Sequence, residues 1–265
     1  MTERLITSLT NDTVKAVRAL HMRKTRDATG RFLAEGLKFI GEALDQGRAP
    51  RLLLVGDNAR PHPLLDRAKA ETRAAGGEIV IVTHAILEKI SRRENPQTVL
   101  AVFDQTYAPL TSLDPAAAGC WIALEQVRDP GNLGTIIRTA DAAGCGGVIL
   151  IDDCVDPYSV EAVRATMGSV FAIQLARCDR AEFLAWRATW PGSVVGTRLD
   201  AVNGYRDAPY AVPTLILMGN EQAGLTDALA GACDVTVKIP MRGRADSLNL
   251  AIATGIMAYA VTDAL

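Results

Sequence analysis

Short apolar runs alternate with longer stretches in which apolar positions recur every three or four residues. Over 8–23, Leu9, Val14, Val17, Leu20 and His21 fall near helical spacing, with Lys15 and Arg18 between them and Arg23, Lys24 and Arg26 following. This predicts a short basic amphipathic helix. Residues 32–44 read as a strand passing through Gly36 into a helix, and 51–55 (RLLLV) as a buried strand. A helix at 63–74, a strand at 78–82, a helix at 84–91 and a strand at 98–103 follow. Strands that alternate with helices indicate an α/β domain with a largely parallel sheet, here over 1–105. The stretch YAPLTSLDPAAAG (107–119) has no period and is rich in Pro, Ala and Ser, so 106–119 is read as a linker. Beyond it the alternation resumes, with strands at 121–124, 147–151, 170–175, 194–197, 214–218 and 235–239. Helices are predicted near 132–143, 158–167, 179–187, 224–231 and 247–264. Residues 120–265 thus form a second α/β domain.

The last helix is apolar on more than one side. Leu248, Ala251, Ile252, Gly255 and Tyr259 keep helical spacing, yet Leu250, Ile256 and Met257 lie elsewhere on the wheel. Such a helix calls for burial all round, either under a sheet or against a second copy of the chain. Asp246 and Ser247 are its cap candidates.

Composition narrows the class. A chain of 265 residues with 49% hydrophobic residues can bury a sizeable core in one large or two ordinary domains. No apolar run approaches the roughly 20 residues of a bilayer span, and the N-terminus lacks a signal-peptide layout, so a cytoplasmic, non-membrane protein is expected. The five cysteines are widely spaced, without a C-x-x-C pair or neighbouring histidines, which points to buried reduced thiols and to no metal site. The net charge of −2 conceals an asymmetry. Residues 1–107 carry 17 Lys+Arg against 13 Asp+Glu, and the rest 11 against 17. A basic first half suits a polyanion, and an ordinary solvated surface accounts for it as well.

Three polar, glycine-bearing stretches follow strands in the second half, where parallel sheets bind ligands. In 127–144 (VRDPGNLGTIIRTADAAG), Gly131 and Gly134 allow a tight helix entry, and Arg138 points away from the apolar stripe. In 215–225 (LILMGNEQAGL), Gly219 permits close backbone approach, while Asn220 and Glu221 offer polar groups. The third is 238–249, KIPMRGRADSLN. There is no G-x-x-x-x-G-K-[ST] and no G-x-G-x-x-G, so ordinary triphosphate and dinucleotide sites lose support.

Taken in order, NLGTIIRTADAAG (132–144), ILMGNEQAGL (216–225) and I-P-M-x-G-x-x-x-S-L-N (239–249) resemble the three motifs of the SpoU/TrmH branch of the SPOUT methyltransferases. VRATMGSVF (163–171) is similar to a further family segment. The first motif departs from the family at Gly131, where a basic residue or histidine is common. Upstream, GRFLAEGLKFI (30–40) and ENPQTVLAV (94–102) resemble the small ribosomal-protein-like substrate-binding domain carried by rRNA-directed members.

The resemblance implies a trefoil-knotted domain with a parallel sheet that transfers a methyl group from S-adenosylmethionine to a ribose 2′-hydroxyl of RNA. It puts rRNA ahead of tRNA. A non-catalytic RNA-binding ribosome-assembly protein is the reading from another class. By family match, Thr197, Leu217, Gly219, Ile239, Met241, Ser247 and Leu248 would line the cofactor site. Arg138 would bind phosphate and stabilise a developing alkoxide, since arginine hardly deprotonates. Asn132, Glu221, Ser247 and Asn249 would orient the site, with simple helix capping left open for Ser247 and Asn249. Arg23, Lys24, Arg26, Arg31, Arg128, Arg164, Arg242 and Arg244 are the RNA-binding candidates. Methyl transfer of this kind relies on alignment and requires no metal. The family also implies a homodimer that buries the last helix.

Overall fold

A computed structural model describes residues 3–264, which fall into two compact units. One comprises the chain up to Gln105 together with Tyr158–Phe171, and the other Thr106–Pro157 with the chain from Ala172 onward.

The first unit contains β1 (Arg4–Ile6), α1 (Asp12–Ala19), α2 (Arg23–Thr29), β2 (Arg31–Glu35), α3 (Leu37–Asp45), β3 (Leu52–Gly56), α4 (Pro63–Ala74), β4 (Glu78–Val82), α5 (His84–Ser91) and β5 (Val99–Asp104). Its sheet runs β1-β4-β3-β5-β2, with β5 antiparallel to both of its neighbours and the other pairs parallel. The basic amphipathic stretch is split. α1 is capped by Asn11 and stops at Leu20, and α2 begins afresh at Arg23. Val14 and Val17 of α1, Leu33, Leu54, Val80 and Leu100 of the sheet, and Ile86, Leu87 and Ile90 of α5 form one core.

The second unit opens with β6 (Cys120–Glu125), α6 (Pro130–Ala142) and β7 (Gly147–Ile151). The following helix, α7 (Val160–Thr166), belongs to the first unit, which differs from the sequence expectation of an uninterrupted second domain. Side-chain chemistry accounts for this. Val160 joins the first unit's core, Phe171 lies 4.8 Å from Phe103 and 5.2 Å from Phe39 by ring centroids, and Tyr158 stacks at 4.7 Å on Phe32. Arg164 reaches both oxygens of Glu35, whose side chain is only 3% exposed.

The remaining elements are β8 (Gln174–Cys178), α8 (Arg180–Arg187), β9 (Val194–Thr197), β10 (Asn203–Gly204), β11 (Thr214–Met218), α9 (Asp227–Ala230), β12 (Val235–Lys238) and α10 (Leu250–Asp263). The strand expected at 170–175 starts four residues later, as β8 in register with β7, and Ser169–Phe171 before it is a short 3-10 turn. The expected linker is packed chain. It forms two 3-10 turns, Leu110–Ser112 and Pro115–Ala117, with Leu110 and Leu113 in the core beside Trp121 and Phe183.

All pairs of this sheet are parallel, in the order β10-β12-β9-β11-β6-β7-β8. Its central strands, β6 and β11, are buried throughout, as strands covered on both faces must be. From β6 the chain winds outward through β7 and β8, and later returns on the other side through β9, β11 and β12. The order therefore reverses between β6 and β11, and a crevice opens at the carboxyl ends of strands flanking such a switch point. α10 packs on α6, β6 and β11, with Gly255 against Thr139 where the two helices meet. Among the described residues, no helix is long and apolar enough to cross a membrane.

Candidate active site

The carboxyl ends of β9, β11 and β12 and the chain entering α10 enclose a cavity of about 680 Å³. Of the residues singled out in the sequence, Asn132, Thr197, Gly219, Glu221, Ile239, Met241, Ser247, Leu248 and Asn249 line it. Leu217 does not. Its side chain lies in the core with no exposure, because alternate residues of a buried strand face opposite sides of the sheet, and Met218 takes the lining position. Thr197 Oγ1 donates to Met218 Sδ at 3.3 Å across the adjoining strand ends.

The wall at 219–225 is a tight reversal. Asn220 and Gly224 exchange backbone hydrogen bonds of 3.1 and 2.9 Å, and Asn220 Oδ1 accepts from the backbone of Gln222 and Ala223. The reversal folds back onto Gly219, where a Cβ would fall inside van der Waals contact of the Gly224 and Leu225 backbone. Glycine is required here by space, because the loop's own backbone occupies the place a side chain would take.

A chain of polar contacts links the three motif segments. Asn249 Nδ2 donates to Asn132 Oδ1 at 2.8 Å, and Asn132 Nδ2 donates to Glu221 Oε1 at 3.3 Å. Glu221 in turn accepts from the backbone N–H groups of Arg128 and Asp129 at 3.3 and 3.4 Å. Its carboxylate thus sits at the entry of α6, whose cap is Asp129 and whose first residue is Pro130, an arrangement suited to a helix N-terminus.

The cap of α10 is Asn249, not Asp246 or Ser247, because its Oδ1 accepts from Ala251 and Ile252 N–H. Asn249 therefore does two jobs with its two amide atoms. Asn249→Ala is expected to cost about 1 kcal/mol of stability through the lost cap. Asn249→Asp keeps the acceptor and so the stability, but loses the donor to Asn132 and should slow the reaction as much as alanine does. Thermal melts beside turnover rates check both.

Arg138 lies on the exposed face of α6, outside the cavity lining, and makes no hydrogen bond or ion pair among the described residues. Lys24, Arg242 and Arg244 are likewise exposed cations without such a partner among the described residues. Two RNA-binding expectations are corrected. Arg26 is 3% exposed and donates to the Leu20 and His21 carbonyls, closing the C-terminus of α1, while Arg164 is held by Glu35 and the Ser91 carbonyl. Charge alone shows neither burial nor a distant partner. Arg23, Arg31 and Arg128 are paired at the surface with Asp27, Asp104 and Asp153, contacts that are worth little and easily exchanged.

Sequence reasoning missed the rim at 198–200. Arg198 forks onto Asp200 and reaches Asp227 at 3.2 Å, and the hydrogen bond to Asp200 raises the Arg198 pKa and lowers that of Asp200. These residues lie at the end of the same strand as Thr197, and that position was their only signal. Burial pushes the thiol of Cys154 up to about 11 and that of Cys233 up to about 12, consistent with inert packing groups.

Comparison with known proteins gives the arrangement a context. Residues 119–259 match the model of the SpoU rRNA Methylase family, and residues 11–101 that of the MRM3-like substrate binding domain. The chain is 32% identical to the 23S rRNA (guanosine(2553)-2'-O)-methyltransferase RlmP of Bacillus subtilis, over 96% of this chain and 97% of the relative. An AdoMet-bound rRNA methyltransferase from Sinorhizobium meliloti superposes with a TM-score of 0.93 at 47% identity, covering 99% and 98% of the two chains. The SpoU methyltransferase AviRb from Streptomyces viridochromogenes, in complex with AdoMet, superposes at 0.86 with 30% identity over 96% and 98%.

Proposed function

The chain belongs to the SpoU rRNA methylase family, and on that footing we propose that it transfers a methyl group from S-adenosylmethionine to a ribose 2′-hydroxyl of rRNA. The observation that carries this reading is the convergence of three separate motif segments on one cavity at the carboxyl ends of parallel strands. The cavity suits the cofactor. Its volume lies within the roughly 300–1,000 Å³ of small-molecule sites. Its lining combines apolar side chains (Ile239, Met241, Leu248) with uncharged polar ones (Thr197, Ser247, Asn249), which suit an adenine with hydrogen-bonding edges. The charged Arg198, Asp200, Glu221 and Lys238 also line it and suit the charged amino-acid end of the cofactor.

When bound, S-adenosylmethionine supplies an activated methyl group on a sulfonium sulfur. The protein's task is alignment and charge. Thr197, Gly219, Ile239, Met241, Ser247 and Leu248 hold the cofactor, and the Asn249–Asn132–Glu221 contacts fix the three segments relative to one another. Arg138 binds the phosphate of the target nucleotide and stabilises charge developing on the ribose oxygen. The return of the C-terminal chain to pack α10 on β11 and β6 is read as part of the family's trefoil knot.

Calorimetric titration with S-adenosylmethionine separates this reading from a non-catalytic RNA-binding protein. One site per chain is expected, and no binding overturns the enzyme. Labelled methyl should appear in rRNA; a label confined to tRNA favours the tRNA reading. RNA is held by the first unit's free and exchangeable cations with Arg242 and Arg244, in a cytoplasmic protein. Its affinity should accordingly fall by on the order of 10³-fold or more between 50 and 200 mM salt if six or more phosphates are contacted. A filter-binding series checks this.

The working form is a homodimer. Ile252, Ile256 and Tyr259 recur at i, i+4 and i+7 on α10, and Ile252 and Tyr259 remain 55% and 47% exposed. An apolar helical stripe of that kind suits an isologous interface. Ile252→Asp combined with Tyr259→Glu is expected to convert the dimer to monomer in sedimentation and to lower activity with it.

A further inference from the structure

Glu125 ends β6 and is 1% exposed, yet it does not line the cavity and no step above uses it. A buried carboxylate is costly unless paired and hydrogen-bonded, so its partners show what it is kept for. Two of them lie in Thr226. The backbone N–H of Thr226 donates to Glu125 Oε2 at 2.9 Å and its hydroxyl to Oε1 at 2.8 Å. A third is Arg180, whose guanidinium lies 3.2 Å from Oε1 and 2.7 Å from Asp152 Oδ2. Arg180 is itself fixed through its backbone N–H, which donates to Asp152 Oδ1 at 2.8 Å.

Thr226 stands at the N-cap of α9, where a threonine ordinarily turns its oxygen toward the helix's own N–H groups. Here there is no such cap bond, because the hydroxyl is committed to Glu125. The other end of the 219–225 wall is tied to the adjacent residue of the same strand exit: Asn220 Nδ2 donates to the Gln126 carbonyl at 2.8 Å. Consecutive residues 125 and 126 thus hold both ends of the loop that walls the cavity, and Arg180 and Asp152 hold Glu125 in turn.

We infer that Glu125 is a positioning residue for cofactor binding, acting through Thr226 to clamp the 219–225 loop against the cavity, with Arg180 as its fixed counter-charge. This rests on the cavity being the S-adenosylmethionine site. It makes ground-state binding of the cofactor, rather than the transfer step, the quantity that the clamp controls.

The test uses the full chain with Thr226→Val, which removes the hydroxyl donor but keeps shape and backbone N–H, and Thr226→Ser, which restores the donor. Glu125→Gln is the second probe. It keeps an acceptor for Thr226 and loses the charge facing Arg180. Thr226→Val should raise Kd and KM for S-adenosylmethionine about tenfold, the scale of one hydrogen bond to a charged group, with kcat within about twofold. Thr226→Ser should bind like the parent, and Glu125→Gln should fall between. Parent-like binding by Thr226→Val, equal impairment of the Val and Ser variants, or a fall in kcat at unchanged KM would overturn the inference while leaving the cofactor site intact. A parent protein that binds no S-adenosylmethionine would overturn the site and the inference together.

Discussion

Replacing Arg138 with alanine is expected to lower the methyl-transfer rate about 10²–10³-fold while leaving S-adenosylmethionine affinity within about twofold, the scale seen when one preorganised charge-stabilising donor is removed. The two halves of that expectation come from different observations. Arg138 is exposed on α6, has no ion pair or hydrogen bond among the described residues and is absent from the cavity lining, so the cofactor does not depend on it. For the same reason the substitution costs little stability, since no packing or pairing is lost. An exposed arginine without a partner is free to meet a phosphate, and its delocalised charge does not have to be generated during the reaction. Arg138→Lys should recover only part of the rate, because a point charge cannot fork onto two oxygens. Single-turnover transfer rates beside calorimetric affinities make the check. Equal losses in affinity and rate would move Arg138 from the transfer step to cofactor binding.

Gly219→Ala is expected to weaken S-adenosylmethionine binding by roughly a hundredfold or more, equivalent to at least ~2.7 kcal/mol. The added methyl would collide with the backbone of Gly224 and Leu225, and backbone cannot swing aside as a flexible side chain does. Relief requires the 219–225 reversal to open, which breaks the Asn220–Gly224 pair and shifts Glu221 away from Asn132 and the entry of α6. A loss of ~1–3 kcal/mol in stability should accompany it, as for other overpacked sites. The chain should stay folded, because the sheet beneath and the first unit are untouched. Calorimetry and a thermal melt on the same sample separate the binding loss from the stability loss. Parent-like affinity would place the cofactor away from this loop.

Much of the fold was legible because its strands are short apolar runs and its helices keep a 3.6-residue period, signals that survive in any context. The central strands at Cys120–Glu125 and Thr214–Met218 fell where the runs did. What failed depended on partners remote in sequence. Nothing local shows that Arg164 will pair with Glu35, 129 residues away, or that Phe171 will pack on Phe103, so 158–171 was assigned with its chain neighbours and not with its contacts. Leu110 and Leu113 reach the core although two leucines among Pro, Ala and Ser make no period. The start of the last helix was placed too early, since Asp246, Ser247 and Asn249 are all good caps and only geometry chooses Asn249.

The site was legible in a different way. Its motif residues were found by resemblance, and the cavity then gathered most of them. Residues that act through the fold escaped that route. Glu125 reads as one more position in a buried strand, and only its hydrogen bonds to Thr226 and its approach to Arg180 distinguish it. Arg26 escaped in the opposite sense, because a cation in a basic segment suggests RNA until its guanidinium is seen closing a helix.

The central claim is that the three motif segments form the site of S-adenosylmethionine-dependent ribose methylation of rRNA. It is tested most directly by mapping 2′-O-methylated nucleotides in rRNA from cells with and without this protein, with Arg138→Ala restored in a third strain. The account predicts a methylated ribose present with the parent protein and lost both in its absence and with Arg138→Ala. An rRNA methylation map that is identical in all three strains would contradict it.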